Sequence, residues 1–72
     1  MERALLKQVF RIRQLREMYH LTQKKLGEIL ELDRSTIAKW EMGVTTPTTK
    51  NIIKLARIFD CSVAALFTDK KL

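Results

Sequence analysis

The stretch that decides the fold runs from residue 22 to residue 43 and reads TQKKLGEILELDRSTIAKWEMG. It holds two short helical patterns, and each opens on a residue whose side chain can accept a hydrogen bond from the free N–H groups of a first helical turn. Thr22 is the predicted N-cap of the first helix, whose buried stripe is predicted to be Leu26, Ile29 and Leu30. Asp33 is the predicted N-cap of the second.

The connection between the two helices is very short, because only Glu31 and Leu32 separate Leu30 from Asp33. A turn this tight makes the helices cross at roughly 90–120° rather than lie antiparallel. Leu32 then has to pack between them. Gly27 fits the same geometry, since a mid-helix glycine costs about 1 kcal/mol unless a close helix approach requires it.

The second helix, over residues 34–42, divides into two faces at 100° per residue. Its inner side carries Ile37, Trp40 and Glu41, and Gly43 supplies a stop because glycine readily takes the left-handed conformation at a helix end. The outward side carries Ser35, Ala38, Lys39 and Met42, with Arg34 on the flank.

Helical periodicity continues on both sides of this pair. Residues 3–19 form a predicted amphipathic helix with the stripe Leu5, Val9, Ile12, Leu15 and Tyr19. Thr48 is the predicted cap of a fourth helix, with Ile52, Ile53, Leu55, Ala56 and Phe59 on its inner side. Ser62 caps a predicted last helix whose Val63, Leu66 and Phe67 close the core. We therefore predict an all-α fold of five helices in one domain, residues 1–72, with its core over 9–67 and the helix pair at about 22–42.

Composition limits the function. The chain has 72 residues, enough for one domain, and no apolar run approaches the roughly 18 residues that span a bilayer. The single Cys61 cannot form an internal disulfide, so nothing indicates an oxidising compartment and we expect a cytoplasmic protein. The basic N-terminal helix could lie on a membrane surface, but its apolar stripe is needed for the core, so no membrane partner is expected. Fourteen Lys and Arg against eight acidic residues give a net charge of +6, which suits a polyanionic partner, either nucleic acid or an anionic membrane.

The outward face of residues 34–42 suits the major groove of double-stranded DNA, which is about 12 Å wide. Arg34 or Lys39 could donate to guanine O6 and N7, Ser35 could contact several bases, and Ala38 could touch a thymine methyl group. The alternative is that this is an ordinary solvated helix face.

A phosphate of the DNA backbone is the expected ligand of the free N–H groups that follow Thr22. The predicted phosphate-binding residues around this turn and in the loop before the fourth helix are Thr22, Gln23, Lys24, Lys25, Thr45, Thr46 and Lys50. The alternative here is a solvated, charged turn.

The ordered set of residues 22–27 and 32–43 resembles the Cro/repressor-type helix-turn-helix family, also called the XRE family. Residues 12–16 before it, and Pro47, Leu55-Ala56, Phe59-Asp60-Cys61-Ser62 and Leu66-Phe67 after it, extend the similarity over about residues 9–67. The resemblance implies a five-helix lambda-repressor-like fold and sequence-specific DNA binding, usually as a homodimer on a two-fold site, with repression as the expected role.

The resemblance also assigns roles to residues. Gln23 matches a phosphate-contacting glutamine, and Thr36 lies nearer the DNA backbone. Arg34, Ser35 and Lys39 fall on base-reading positions. Arg16 and Glu41 match an ion pair that in relatives joins the N-terminal helix, here residues 3–19, to the end of the helix over residues 34–42. Two residues depart from the family pattern: Glu31 stands where glycine is common and Gly27 where alanine is usual.

A second functional class is a protein-interaction module of the antitoxin kind, which also binds DNA and has a toxin or co-regulator as protein partner. An enzyme is not expected, because the chain has one histidine, no cysteine pair and no glycine-rich phosphate loop. One histidine and one cysteine also supply too few ligands for a metal, so no cofactor is predicted.

Overall fold

The computed structural model describes residues 11–67, and within this range it contains four α-helices and no strand. Helix α1 spans Ile12–Met18, α2 Gln23–Leu30, α3 Arg34–Met42 and α4 Thr49–Ile58. The predicted all-helical class is confirmed. The part of the predicted first helix before residue 11, with Leu5 and Val9, lies outside the described residues.

The prediction of a fifth α-helix is corrected by the structure, which has a single 3-10 turn there, Ala64–Leu66. The Ser62 hydroxyl does accept the Ala65 N–H, at 3.2 Å. The turn then ends at Phe67, whose backbone is extended at φ −95° and ψ 159°. The hydrogen-bond geometry of a 3-10 helix is poorer than that of an α-helix, so such runs seldom exceed three or four residues. The count of five helices is therefore not confirmed.

The three predicted N-caps of the central helices are confirmed. The side chain of Thr22 accepts the Lys25 N–H at 2.9 Å, and that of Asp33 accepts the Ser35 N–H at 2.9 Å. Thr48 caps α4 in the same way. Each cap satisfies one of the N–H groups that a helix start leaves without a partner.

The ends of the helices use left-handed residues, and most of these are not glycine. Gly43 ends α3 at φ 77°, as predicted. Glu31 ends α2 at φ 61°, and His20 and Asp60 take φ values of 57° and 50° after α1 and α4. A residue with a Cβ in this region costs roughly 1–2 kcal/mol, so the glutamate in the helix-turn-helix is a strained position.

The core lies where the four helices meet. Its buried hydrophobic residues are Ile12, Leu15, Leu26, Leu30, Ile37, Trp40, Leu55, Ala56, Phe59 and Leu66, and the partly buried Leu32 packs against it as predicted. Four inward predictions are wrong, because Tyr19, Ile29, Ile53 and Val63 are all more than 40% exposed.

Helical geometry explains the errors at Ile29 and Ile53. In α2 the buried residues are Leu26, Gly27 and Leu30, so the buried arc is centred about 105° away from Ile29 at 100° per residue. In α4 the arc is centred on the buried Leu55 and Ala56, and the same offset turns Ile53 outward.

Close packing of α2 against α3 explains the glycine in α2. A Cβ at Gly27 would lie 2.7 Å from the backbone oxygen of Leu32 and 3.4 Å from the Arg34 nitrogen. Residue 27 therefore has room for hydrogen alone, and the predicted close approach of the two helices is confirmed.

Candidate nucleic-acid interface

Helix α3 is held to the body by one face and projects polar residues from the other. Ile37 is fully buried and Trp40 nearly so. On the opposite side the side chains of Arg34, Ser35 and Lys39 are exposed. Two further predicted site residues, Thr36 and Ala38, are half-buried.

A buried ion pair fixes the end of α3 to α1. Arg16 donates from Nε to Glu41 Oε2 at 2.7 Å and from its second terminal nitrogen to Oε1 at 3.2 Å. Its other terminal nitrogen donates to the Leu21 carbonyl at 2.8 Å. The two side chains are 11% and 5% exposed, so the structure brings together the pair that the resemblance implies. The hydrogen bond to Glu41 raises the pKa of Arg16 above its ordinary value.

Gln23 extends this pair to the outward face. Its amide nitrogen donates to Glu41 Oε1 at 3.0 Å, and its amide oxygen accepts from Arg34 at 3.2 Å. Because Glu41 accepts and Arg34 donates, the amide can sit only one way round. One of its two N–H hydrogens remains for another acceptor.

The start of α3 contains a second local arrangement. Both the backbone N–H and the hydroxyl of Ser35 donate to Asp33 Oδ2. These hydrogen bonds lower the pKa of Asp33 below its ordinary value. The carboxyl group is thus ionised at neutral pH, which suits the positive end of the helix dipole.

Two clefts meet at Lys24 and Arg34: one lies between the end of α1 and the start of α2, and the other between α2 and the start of α3. The first, of about 710 Å³, is lined by Arg16, Glu17, His20, Leu21, Thr22, Gln23, Lys24 and Arg34. The second, of about 650 Å³, is lined by Lys24, Glu28, Leu32, Asp33, Arg34, Ser35 and Ala38. Lys24 and Arg34 border both, so predicted phosphate-binding and base-reading residues share one surface.

The remaining predicted phosphate-binding residues lie elsewhere on the surface. Lys25 is exposed on α2 and has Glu28 at 3.9 Å, a weak exposed pair. Thr45, Thr46 and Lys50 are exposed in the loop after α3 and the first turn of α4, and none of them lines either cleft.

Sequence reasoning missed Arg13 as a member of this surface. A third cleft, of about 230 Å³, places it with Ala38 and Met42 of α3. Its Nε–H donates to Glu17 at 3.3 Å, and both side chains are more than half exposed. The signal was available, since Arg13 lies three residues before Arg16 and therefore near the same side of α1.

Helices α2 and α3 are joined by three residues, and polar and basic side chains project from α3. This arrangement defines a helix-turn-helix domain. A helix-turn-helix family model matches residues 12–66, most of the chain. The chain belongs to the Cro/repressor-type (XRE) helix-turn-helix family, a family of DNA-binding transcriptional regulators, as the sequence predicted. The prediction that it is not an enzyme is confirmed by that membership.

Three relatives show the extent of the similarity. The HTH-type transcriptional regulator DicA of Escherichia coli (strain K12) is 35% identical over 52 residues, 72% of this chain and 38% of its own length. The HTH-type transcriptional activator BcrR of Enterococcus faecalis is 31% identical over 62 residues, 86% of this chain and 30% of its own. An HTH-type transcriptional regulator of Archaeoglobus fulgidus is 35% identical, with coverage of 79% and 81%. The chain thus spans well under half the length of the first two.

The fold is also that of a solved structure. A crystal structure of a Bacteroides fragilis protein described as DNA-binding superposes with a TM-score of 0.77, at 20% identity, over 85% of this chain and 98% of that one. None of the helices described within residues 11–67 has both the length and the apolar character of a membrane-spanning segment. Among the same residues, no group of three or more His, Cys, Asp or Glu could hold a metal ion.

Proposed function

We propose that this chain binds a specific double-stranded DNA sequence through α3 and thereby regulates transcription, as a dimer on a two-fold site. The observation that carries the proposal is the division of α3 into a buried face and an exposed face that presents Arg34, Ser35 and Lys39. The N-terminal residues of such a helix are the ones that reach base edges in the major groove.

Arg34 is the proposed guanine-reading residue, because its fork of N–H groups matches the O6 and N7 acceptors of that base. Its contact with the Gln23 oxygen supports this role, since a side chain already held in place loses less entropy on binding. The free N–H of Gln23 is directed to a phosphate in this proposal, with Lys24 and Lys25 from the same turn.

Equilibrium binding of fluorescent duplexes tests the proposal. A site enriched from random duplexes should bind roughly 10³-fold tighter than a random one, and both affinities should fall steeply with salt. Binding that is insensitive to salt, or equal on all duplexes, would refute sequence-specific recognition.

Variants separate the two proposed kinds of contact. Arg34→Ala should cost about 1–3 kcal/mol on the selected site and relax the preference at one base pair. Lys25→Ala should weaken all duplexes alike and lower the salt slope by about 0.9. Lys54→Ala, an exposed lysine on α4, is the control with the same loss of charge. Identical behaviour of the three variants would contradict these assignments.

The dimer and the direction of regulation form the finer part of the proposal. Two-fold sites place half-sites about one helical turn, roughly 10 base pairs, apart. Selected sequences should therefore contain two inverted half-sites at that spacing, and sedimentation should show two chains per duplex. Repression predicts lower output from a reporter promoter that carries the site. Higher output would give the chain the opposite role, the one in the name of the relative BcrR.

A further inference from the structure

The hydroxyl group of Ser35 has its hydrogen committed inside the protein. It donates to Asp33 Oδ2, the oxygen that also accepts the Ser35 backbone N–H at 2.9 Å. An ionised carboxylate has no hydrogen to give, so the serine must be the donor. A hydroxyl has one hydrogen, and the exposed Ser35 therefore presents only the lone pairs of its oxygen outward.

We propose that Ser35 reads DNA as a hydrogen-bond acceptor, from the exocyclic amino group of adenine (N6) or cytosine (N4) in the major groove. The inference rests on the proposed function and deepens it. Those amino groups are the donors that base edges present there, whereas guanine O6 and N7 and thymine O4 are acceptors. A serine without a free hydrogen complements the first set and not the second.

Rotation of the hydroxyl toward a guanine or thymine is the competing arrangement, and relative strengths decide against it. Hydrogen bonds to an ionised group are roughly twice as strong as those between neutral groups. Turning the hydrogen from Asp33 to a neutral base acceptor exchanges the stronger bond for the weaker. The lowered pKa of Asp33 keeps the carboxylate charged, and therefore the stronger acceptor, at neutral pH.

The surroundings of Ser35 favour the same base edge. Asp33, Arg34 and Ser35 line one cleft together. The Asp33 carboxylate places a second acceptor, with negative charge, beside the serine oxygen, and this repels the carbonyl oxygens of guanine and thymine. Arg34 is the donor at this end of α3. The inferred half-site therefore contains a guanine, read by Arg34, next to a base that carries an amino group, read by Ser35.

Base analogues in the selected duplex test the inference, since every base pair contains both an amino group and an acceptor and selection alone cannot tell which is read. Once the base pair sensitive to Ser35→Ala is known, its adenine is replaced by purine, or its cytosine by 2-pyrimidinone, to remove the amino group. The affinity of the wild type for the analogue duplex should be roughly three- to tenfold lower than for the normal duplex, the range for one hydrogen bond. The Ser35→Ala variant should bind the two duplexes equally well. The analogue that responds identifies adenine or cytosine.

A second variant tests the part played by Asp33. Asp33→Gly removes the carboxylate while glycine remains a tolerated N-cap, and circular dichroism checks its fold. The freed hydroxyl can then donate, so the effect of removing the amino group should shrink. Replacing the purine of the same pair by its 7-deaza analogue removes the N7 acceptor, and this should leave the wild type unaffected.

Each result has a definite meaning. A wild type weakened by the 7-deaza analogue but not by loss of the amino group would overturn the inference, because Ser35 would then be a donor. Equal binding by wild type and Ser35→Ala on every duplex would overturn it as well. A wild type that binds no duplex would overturn both the proposed function and this inference.

Discussion

Loss of one partner of the Arg16–Glu41 pair should remove much of the stability of this domain. Arg16 makes two hydrogen bonds to Glu41 and one to the Leu21 carbonyl, and its side chain is 11% exposed. Arg16→Met leaves the nearly buried Glu41 carboxylate with the Gln23 amide as its remaining hydrogen-bond donor. Breaking a buried ion pair in this way costs about 3–5 kcal/mol. A domain of this size has roughly 4–11 kcal/mol in total.

The double variant Arg16→Met with Glu41→Leu gives the comparison that isolates the pair. It buries no unpaired charge, and its main unmet group is the Leu21 carbonyl, worth about 1 kcal/mol. We therefore expect the double variant to be about 2–4 kcal/mol more stable than Arg16→Met alone.

Urea unfolding followed by circular dichroism measures these free energies by linear extrapolation, with equal m-values as the check on two-state behaviour. A loss below about 1 kcal/mol in Arg16→Met, the range of a surface pair, would refute the reasoning. So would a double variant as unstable as the sum of the single variants.

Three further predictions concern the turn between α2 and α3. Gly27→Ala should destabilise by about 1–3 kcal/mol in urea unfolding despite the better helix propensity of alanine, because its Cβ would meet the Leu32 backbone oxygen; a stabilised variant would contradict the close approach. Glu31→Gly should raise the melting temperature by several degrees, about 1 kcal/mol, because the residue sits at φ 61°; no rise would argue against strain there. Asp33→Asn keeps a cap but removes a carboxyl whose pKa folding lowers. The ionised Asp33 carboxyl stabilises the fold fully above its pKa in the unfolded chain, about 3.9, and this contribution is lost as pH falls through its lower pKa in the folded chain. The Asp33→Asn variant should therefore lose less stability than the wild type below pH ~4. Parallel curves of stability against pH for the two proteins would contradict this.

Features set by short stretches of chain were predictable. The caps Thr22, Asp33 and Thr48 and the glycine stop at Gly43 each depend on two to four consecutive residues, and the structure has them as expected. The tight turn was predictable for the same reason, because its length alone forces the close approach at Gly27.

Features set by tertiary position were not predictable to the same degree. Ile29 and Ile53 fit an apolar stripe of period three or four as well as their buried neighbours do, and only the placement of the adjoining helices decides which arc is covered. The last predicted helix has a cap and apolar residues, but the structure has a single 3-10 turn there, because the backbone at Phe67 is extended.

The candidate site was predicted as a set of residues rather than as an arrangement. The bond of Ser35 to Asp33 is local, two residues apart, and the sequence alone could have suggested it. The placement of Gln23 between Glu41 and Arg34 joins residues 18 and 11 positions apart, so it depends on how α2 crosses α3. The proposed base and phosphate contacts stay predictions.

The position of Gln23 has a consequence for redesign of binding specificity. Its amide is oriented by the Glu41 carboxylate, which also holds α1, so the acceptor that it offers to residue 34 lies on α2 rather than on α3. Grafting a new reading surface onto this domain should succeed where residue 34 remains a hydrogen-bond donor. An acidic side chain at position 34 would face the Gln23 amide oxygen, which cannot donate to it, and would therefore not be held in one orientation. Libraries that aim at altered specificity need Gln23 randomised together with position 34.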